Sequence, residues 1–195
     1  MPRTHVGTVC LLAGLLVVAT AAPFARHRAV RQDDQDHAAY KHLNEEIARY
    51  LAIHTGLRAE VPGRAPNSSA RELSAASDTL ANAIRRARPR GRQGDFFDAD
   101  ATRLITERLR NALRSPNLAA ALAGIDDERP ATLRPQPYLR FPAANEMATM
   151  PPSLLRLLPR LPAELEYRIA GEYLVLRDVK AAMILDYIPD AVPRR

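Results

Sequence analysis

The chain has 195 residues and a formal net charge of +6, and arginine supplies every basic residue except Lys41 and Lys180. This length suits a single domain with one modest core. The only cysteine, Cys10, lies in an apolar N-terminal run. A chain that loses this run therefore has no disulfide, cysteine nucleophile or cysteine-ligated metal cluster.

Residues 1–21 have the pattern of a secretory signal peptide. An uncharged apolar run from Val6 to Ala22 follows a short basic start, and Ala19 and Ala21 are the small residues that signal peptidase requires. We therefore expect cleavage after Ala21 and a periplasmic or secreted protein. The alternative is an uncleaved membrane anchor. The positive-inside bias disfavours an anchor, because arginines follow the run directly (Arg26, Arg28 and Arg31).

Residues 22–35, which are polar and charged from Arg26 onward, predict a flexible lead-in, and residues 36–125 predict a helical region. Apolar residues recur at helical spacing, and the stripe from Tyr40 to His54 predicts the buried face of the first helix. Asp98 is a predicted N-cap, and Phe96 or Phe97 is expected to pack back onto the helix that follows. The predicted helices run from Asp36 to Thr55-Gly56, from Ala70 to Ala87, from Ala99 to Leu113 and from Pro116 to Leu122.

Residues 126–150 are rich in proline and predict an extended connector that leads into residues 151–195. A short helix is predicted from Leu154 to Leu158. Three runs rich in β-branched and aromatic residues then predict an antiparallel meander, with Gly171 in its first turn. Helices followed by strands indicate an α+β fold, with residues 36–125 and 151–195 packed as one domain. The predicted strands are Leu165 to Ile169, Tyr173 to Leu176 and Met183 to Ile188.

His42 and Glu46 are weak candidates for metal ligands. They lie four residues apart on the first predicted helix, so their side chains share a face. A zinc-type site needs three or four protein ligands, and this spacing aligns only two. We therefore expect a solvated helix face and no metal ion or other cofactor.

Two carboxylates, Asp178 and Asp186, interrupt apolar strand residues. Strict alternation along the third strand places Asp186 on one face with two isoleucines, Ile184 and Ile188. One interpretation is a buried acid that pairs across the sheet with Arg168 or Arg177. The other interpretation is a functional acid in a pocket.

Five arginines cluster at the end of the second predicted helix and in the loop after it: Arg85, Arg86, Arg88, Arg90 and Arg92. Such a density of positive charge predicts contact with an anionic partner. No aromatic residue lies among them to stack on bases, so we do not expect nucleic acid. The alternative is that the arginine content reflects genome composition and has no function.

Five segments stand out together: Gln93 to Phe97 before a capped helix, Met150 to Leu155, Leu161 to Arg168, Leu174 to Val179 and Ile184 to Asp186. Together they resemble a group of exported bacterial proteins of unknown function. This resemblance implies export and assigns no activity. The meander alone is similar to the C-terminal module of small periplasmic proteins, including a nickel/cobalt-homeostasis accessory type.

The sequence favours a non-enzymatic periplasmic protein that contacts an envelope protein or an anionic envelope polymer, with peripheral membrane contact at most. A three-stranded meander supports partner binding, because it leaves two edges for strand pairing. The first alternative is a metal-homeostasis accessory or sensor that uses His42. The second alternative is a hydrolase with an acid site at Asp178 and Asp186.

Overall fold

The computed structural model describes residues 36–60, 68–125, 134–141 and 150–193. Within these ranges helices come first and a three-stranded antiparallel sheet comes last, which confirms the predicted α+β class and the C-terminal meander. The predicted signal peptide (1–21) and lead-in (22–35) lie outside the described residues. The helices are α1 (Lys41–Glu60), α2 (Ala70–Ala87), α3 (Ala99–Ala112), α4 (Pro116–Ala123) and α5 (Pro152–Leu155), and the strands are β1 (Leu165–Ala170), β2 (Tyr173–Asp178) and β3 (Met183–Ile188).

Local sequence signals account for the helix starts. Ser69 and Glu72 form a capping box at α2, in which each side chain accepts a hydrogen bond from the other residue's main-chain N–H. Asp98 caps α3 as predicted, because its carboxylate accepts a hydrogen bond from the Ala101 N–H at 2.9 Å. α4 begins with Pro116, a position where the missing N–H has no helical partner to lose.

The predicted end of α1 at Gly56 is wrong, because the helix continues to Glu60. Gly56 lies within the helix, and Leu57 after it packs partly buried against the core. Glycine weakens a helix by only about 1 kcal/mol, and burial of a leucine offsets that cost.

The sheet has the order β1-β2-β3, and Gly171 in its first turn adopts a φ of 58°. A bulge interrupts the β2–β3 ladder. Leu176 lies opposite Asp186, whereas the next residue, Arg177, lies opposite Ile184. Leu185 is therefore the extra residue on β3.

Because of the bulge, the residues of β3 do not lie on the faces of the sheet that strict alternation predicts. Strict alternation put Asp186 with Ile184, but Ile184 packs in a small cluster on the second face of the sheet, with Phe141 and Val175. Asp186 instead lies opposite Leu176, which belongs to the main core. Met183 and Leu185, which strict alternation would put on the face opposite Asp186, also belong to the main core. One extra residue thus turns the acid towards the helices.

The main core lies between the helices and the inner face of the sheet. Three helices, α1, α2 and α3, each present an apolar stripe to it, as the periodicity predicts. α5 contributes one fully buried side chain, Leu154. Fully buried residues of this core include Leu43, Tyr50, Ile84, Phe96, Ile105, Leu109, Leu174 and Leu176.

Part of the predicted connector, residues 134–141, lies along β3. The Tyr138 N–H donates to the Ile184 carbonyl (2.7 Å), the Ile184 N–H donates to the Leu139 carbonyl (2.9 Å), and the Phe141 N–H donates to the Ala182 carbonyl (2.9 Å). One edge of the meander is therefore already paired. The expectation of two open edges is wrong for this side.

The β1 edge is also closed. The Val179 N–H donates to the Glu164 carbonyl at 2.9 Å, and hydrogen-bonded pairs alternate in an antiparallel ladder. The main-chain groups of residues 165, 167 and 169 therefore point away from β2. Yet these three residues, main chain included, are only 4%, 3% and 1% exposed. Solvent does not reach this edge, and a partner strand has no open row of groups to join.

Two glycines provide a matched test of the packing. A Cβ at Gly91 would lie 1.7 Å from Tyr138 Cε2, whereas a Cβ at Gly56 would meet nothing within 4 Å. We expect Gly91→Ala to displace the buried Tyr138 ring and lower the free energy of unfolding by about 1–3 kcal/mol. We expect Gly56→Ala to raise it by about 0.5–1 kcal/mol, because alanine favours a helix. Urea denaturation measures both, and a fully stable Gly91→Ala variant would contradict the position of Tyr138.

Candidate functional site

A buried tyrosine, histidine and aspartate meet where α1 packs on the β2–β3 turn; we call them the Asp178 cluster (Tyr50, His54 and Asp178). The Tyr50 hydroxyl donates to Asp178 Oδ2 at 2.6 Å, and His54 Nε2 lies 3.1 Å from the same oxygen. Asp178 Oδ1 accepts hydrogen bonds from the main-chain N–H groups of Lys180 (2.7 Å) and Ala181 (2.6 Å). No residue of the cluster is more than 1% exposed.

The sequence places these groups by simple rules. Tyr50 and His54 are one helical turn apart, so both project from the buried face of α1. Asp178 ends β2, and an aspartate at the start of a turn can accept hydrogen bonds from the N–H groups that follow it. The cluster therefore joins α1 to the sheet at the point where β2 turns into β3.

Burial acts to raise the pKa of Asp178, but the contacts from His54, the Ala181 N–H and the Tyr50 hydroxyl outweigh it, so the pKa is lowered. Burial and the nearby Asp178 carboxylate raise the pKa of Tyr50 far above its ordinary value. Tyr50 thus stays a donor while Asp178 stays an anion. The arrangement resembles the aspartate–histidine pair of a hydrolytic triad, but all three side chains of the cluster are buried.

The second strand acid, Asp186, holds the loop before α3. Its Oδ1 accepts hydrogen bonds from the N–H groups of Gly94 (3.0 Å) and Tyr187 (2.8 Å), and its Oδ2 accepts them from Phe96 (2.9 Å) and Phe97 (2.8 Å). Gly94 has a φ of 87°, which lets three N–H groups of one loop converge on a single carboxylate. Burial raises the pKa of Asp186, and the four hydrogen bonds oppose that shift.

Arg168 and Arg177 lie beside Glu166 rather than beside Asp186. Their Nε atoms are 2.9 Å and 3.1 Å from Glu166 Oε1, on the second face of the sheet. The Arg177 guanidinium also lies over the Phe141 ring, 4.9 Å from its centroid. The predicted pairing of these arginines with Asp186 is therefore wrong. They pair with Glu166 instead, because the bulge turns Asp186 to the opposite face.

The two metal-ligand candidates have other contacts. Glu46 Oε1 accepts a hydrogen bond from Arg88 (2.6 Å), and Oε2 accepts one from Arg49 (2.5 Å). Burial acts to raise the pKa of Glu46, but the two arginines outweigh it and lower the pKa. His42 Nε2 lies 3.0 Å from the Asp95 carbonyl oxygen. In the described ranges, no group of three or more His, Cys, Asp and Glu side chains is placed to hold a metal ion.

The five clustered arginines divide into internal and exposed members. Arg85 donates to the Tyr138 carbonyl at 2.8 Å, and Arg88, with 13% of its side chain exposed, donates to Glu46 and to the Tyr138 hydroxyl. The remaining three are exposed: Arg86, Arg90 and Arg92. Contact with an anionic partner stays a prediction for these three, whereas Arg85 and Arg88 have a structural role.

Comparison with protein-family models, with curated proteins and with solved structures finds no match for this chain. None of the helices in the described ranges combines the length and apolar character that a membrane span requires.

Sequence reasoning singled out Asp178 but missed its partners on α1. A signal was present, because His54 falls on the apolar stripe of the first helix, where a polar residue needs a buried partner. The partner itself could not be found locally, since Tyr50 and Asp178 are 128 residues apart.

Two buried tyrosines test how much the hydrogen bond from Tyr50 to Asp178 contributes to the free energy of unfolding. The Tyr50 hydroxyl donates to Asp178, whereas the Tyr167 hydroxyl has no hydrogen-bond partner among the described residues. We expect Tyr50→Phe to lower the free energy of unfolding by about 1–3 kcal/mol, because buried Asp178 loses a donor. Tyr167→Phe is the matched control, and we expect no change or a gain of up to about 1 kcal/mol. Equal losses in urea denaturation would contradict this assignment.

The lowered pKa of Asp178 predicts a pH dependence. A carboxylate with a lower pKa in the folded chain stabilises the fold above its unfolded-state pKa of about 3.9, and this contribution is lost as the pH falls through the folded value. We expect wild type to be more stable than Asp178→Asn by about 1–3 kcal/mol at neutral pH. The difference should shrink as the pH falls below about 4.

Asp186→Asn is the control, and its effect on stability should change with pH in the direction opposite to that of Asp178→Asn. Because burial raises the pKa of Asp186, the folded chain binds its proton more tightly than the unfolded chain does. Wild type should therefore gain stability relative to Asp186→Asn as the pH falls. Urea denaturation over a pH series measures both differences, and parallel trends in the two variants would contradict the assigned environments.

Proposed function

We propose that this protein is exported to the periplasm and acts there without catalysing a reaction, through contacts with an envelope protein or an anionic envelope polymer. The burial of the two strand acids is the main support for a role without catalysis. Asp178 and Asp186 are both fully buried, and each carboxylate receives four contacts from the chain itself. Carboxylates held in this way stabilise a fold and are not presented to a substrate.

Export is supported by the sequence pattern of residues 1–21. The contacts of Glu46 weigh against the metal-binding alternative, because two guanidinium groups already neutralise that carboxylate. Micromolar binding of nickel, cobalt or zinc that disappears in His42→Ala would favour that alternative over our proposal.

Partner contacts would use side chains, since both edges of the sheet are closed to strand addition. Two large apolar residues are prominent at the surface, Leu139 (50% exposed) and Leu155 (45% exposed). Exposed arginines supply the charge for an anionic polymer: Arg86, Arg90 and Arg92.

Cell fractionation tests the export step. We expect the full-length gene product, expressed in a Gram-negative host, to be recovered from the periplasm with Ala22 as its first residue. N-terminal sequencing and intact mass identify the cleavage site. A chain that keeps residues 1–21 and stays in the cytosol would contradict the proposal.

Photo-crosslinking in intact cells tests the contact step. A photoreactive residue is placed in turn at the exposed positions Leu139, Leu155 and Arg90, with the exposed acids Glu45 and Glu107 as matched controls. We expect one reproducible adduct that forms at a test position and not at the controls. Adducts at all positions alike, or at none, would contradict a specific contact.

A further inference from the structure

α4 is an uncharged helix that is not buried. Asn117 is its only polar side chain among eight residues, and Leu122 is its only buried residue. A helix with no charged face ordinarily lies in a protein interior or in a membrane. The exposed residues of α4 are Pro116, Asn117, Ala119, Ala120 and Ala123.

α5 extends this apolar surface. The two helices are in contact, and Leu155 and Pro152 on α5 are exposed. Leu154, the residue before Leu155, is fully buried in the main core. The core therefore fixes the position of α5 while Leu155 projects into solvent.

The two chain segments that form this surface carry only positive charges. Residues 112–125 and 150–163 contain no aspartate or glutamate, and their three arginines are all exposed (Arg114, Arg156 and Arg160). Elsewhere on the surface, exposed Arg103 and Arg140 pair with Asp100 and Asp78. The acids that follow in sequence, residues 126–128, lie outside the described ranges.

We propose that the α4–α5 surface (Pro116–Ala123 and Pro152–Leu155, with Arg114, Arg156 and Arg160) docks peripherally on a bilayer of anionic phospholipid. Leu155 and the uncharged face of α4 enter the headgroup region, and the arginines bind lipid phosphates. A soluble anionic polymer would use the arginines but gain nothing from the apolar residues. This inference rests on the proposed function, because that function places the protein at the envelope.

The chain contains no tryptophan, so Leu155→Trp in the full chain introduces a single fluorescent reporter. We expect its emission to shift to shorter wavelength with vesicles that contain phosphatidylglycerol and to stay unchanged with pure phosphatidylcholine. Leu139→Trp is the matched control at a position of similar exposure on another segment. We expect no shift there, even if the apolar run from Val6 to Ala22 tethers the chain to the vesicle.

A charge variant tests the arginines. In the Leu155→Trp background, Arg156→Gln with Arg160→Gln should lower the vesicle partition coefficient about 30-fold, since each arginine near an anionic surface contributes about fivefold. Arg58→Gln with Arg71→Gln, two exposed arginines on other helices, is the control pair and should leave the coefficient unchanged. Added salt should weaken binding.

Three outcomes would overturn the inference: no shift at Leu155, equal shifts at Leu155 and Leu139, or loss of binding in the Arg58 and Arg71 pair instead. The vesicle measurement does not depend on where the cell places the protein. Failed docking and failed export are therefore separate results.

Discussion

Two buried carboxylates join the sheet to the helices, and the arrangement of the described domain depends on them. Asp178 binds Tyr50 and His54 of α1, and Asp186 binds three N–H groups of the loop before α3. A buried group that loses a partner costs about 1–3 kcal/mol, and more if it is charged. The strands therefore cannot slip by one residue without breaking both sets of contacts, because a slip moves every side chain to the other face.

The bulge at Leu185 is part of the same arrangement. An uninterrupted ladder would turn Asp186 to the second face of the sheet, where Glu166 already accepts contacts from Arg168 and Arg177. The main-chain N–H groups of Phe96 and Phe97 would then be buried without an acceptor, at a cost that folded proteins rarely tolerate. The extra residue thus lets Asp186 accept hydrogen bonds from N–H groups that lie about 90 residues earlier in the chain.

The sequence predicted the elements better than their contacts. Helix starts and strand positions follow from caps, glycines and periodicity, which act within a few residues, and the strand predictions differ from the structure by at most two residues at an end. Local alternation could not reveal the bulge, because the reason for it lies in the Gly94 loop. Nor could it show that residues 138–141 pair with β3, since a proline-rich segment has no periodicity. Local patterns also missed the partners of Asp178, because Tyr50 lies 128 residues earlier in the chain.

The number of arginines alone does not indicate a function, whereas the contacts of each arginine separate those that hold the fold together from those that are available to a partner. Arg88 and Arg177 are largely buried and hold carboxylates inside the fold, so their charge is used internally. Arg103 and Arg140 are neutralised by surface acids, and such exposed pairs contribute little to stability. Arg156 and Arg160 differ from both groups, because they follow an exposed leucine in a segment without acids. Genome composition can raise the arginine count throughout a chain, but it does not explain why acids are missing from the two segments that form the α4–α5 surface.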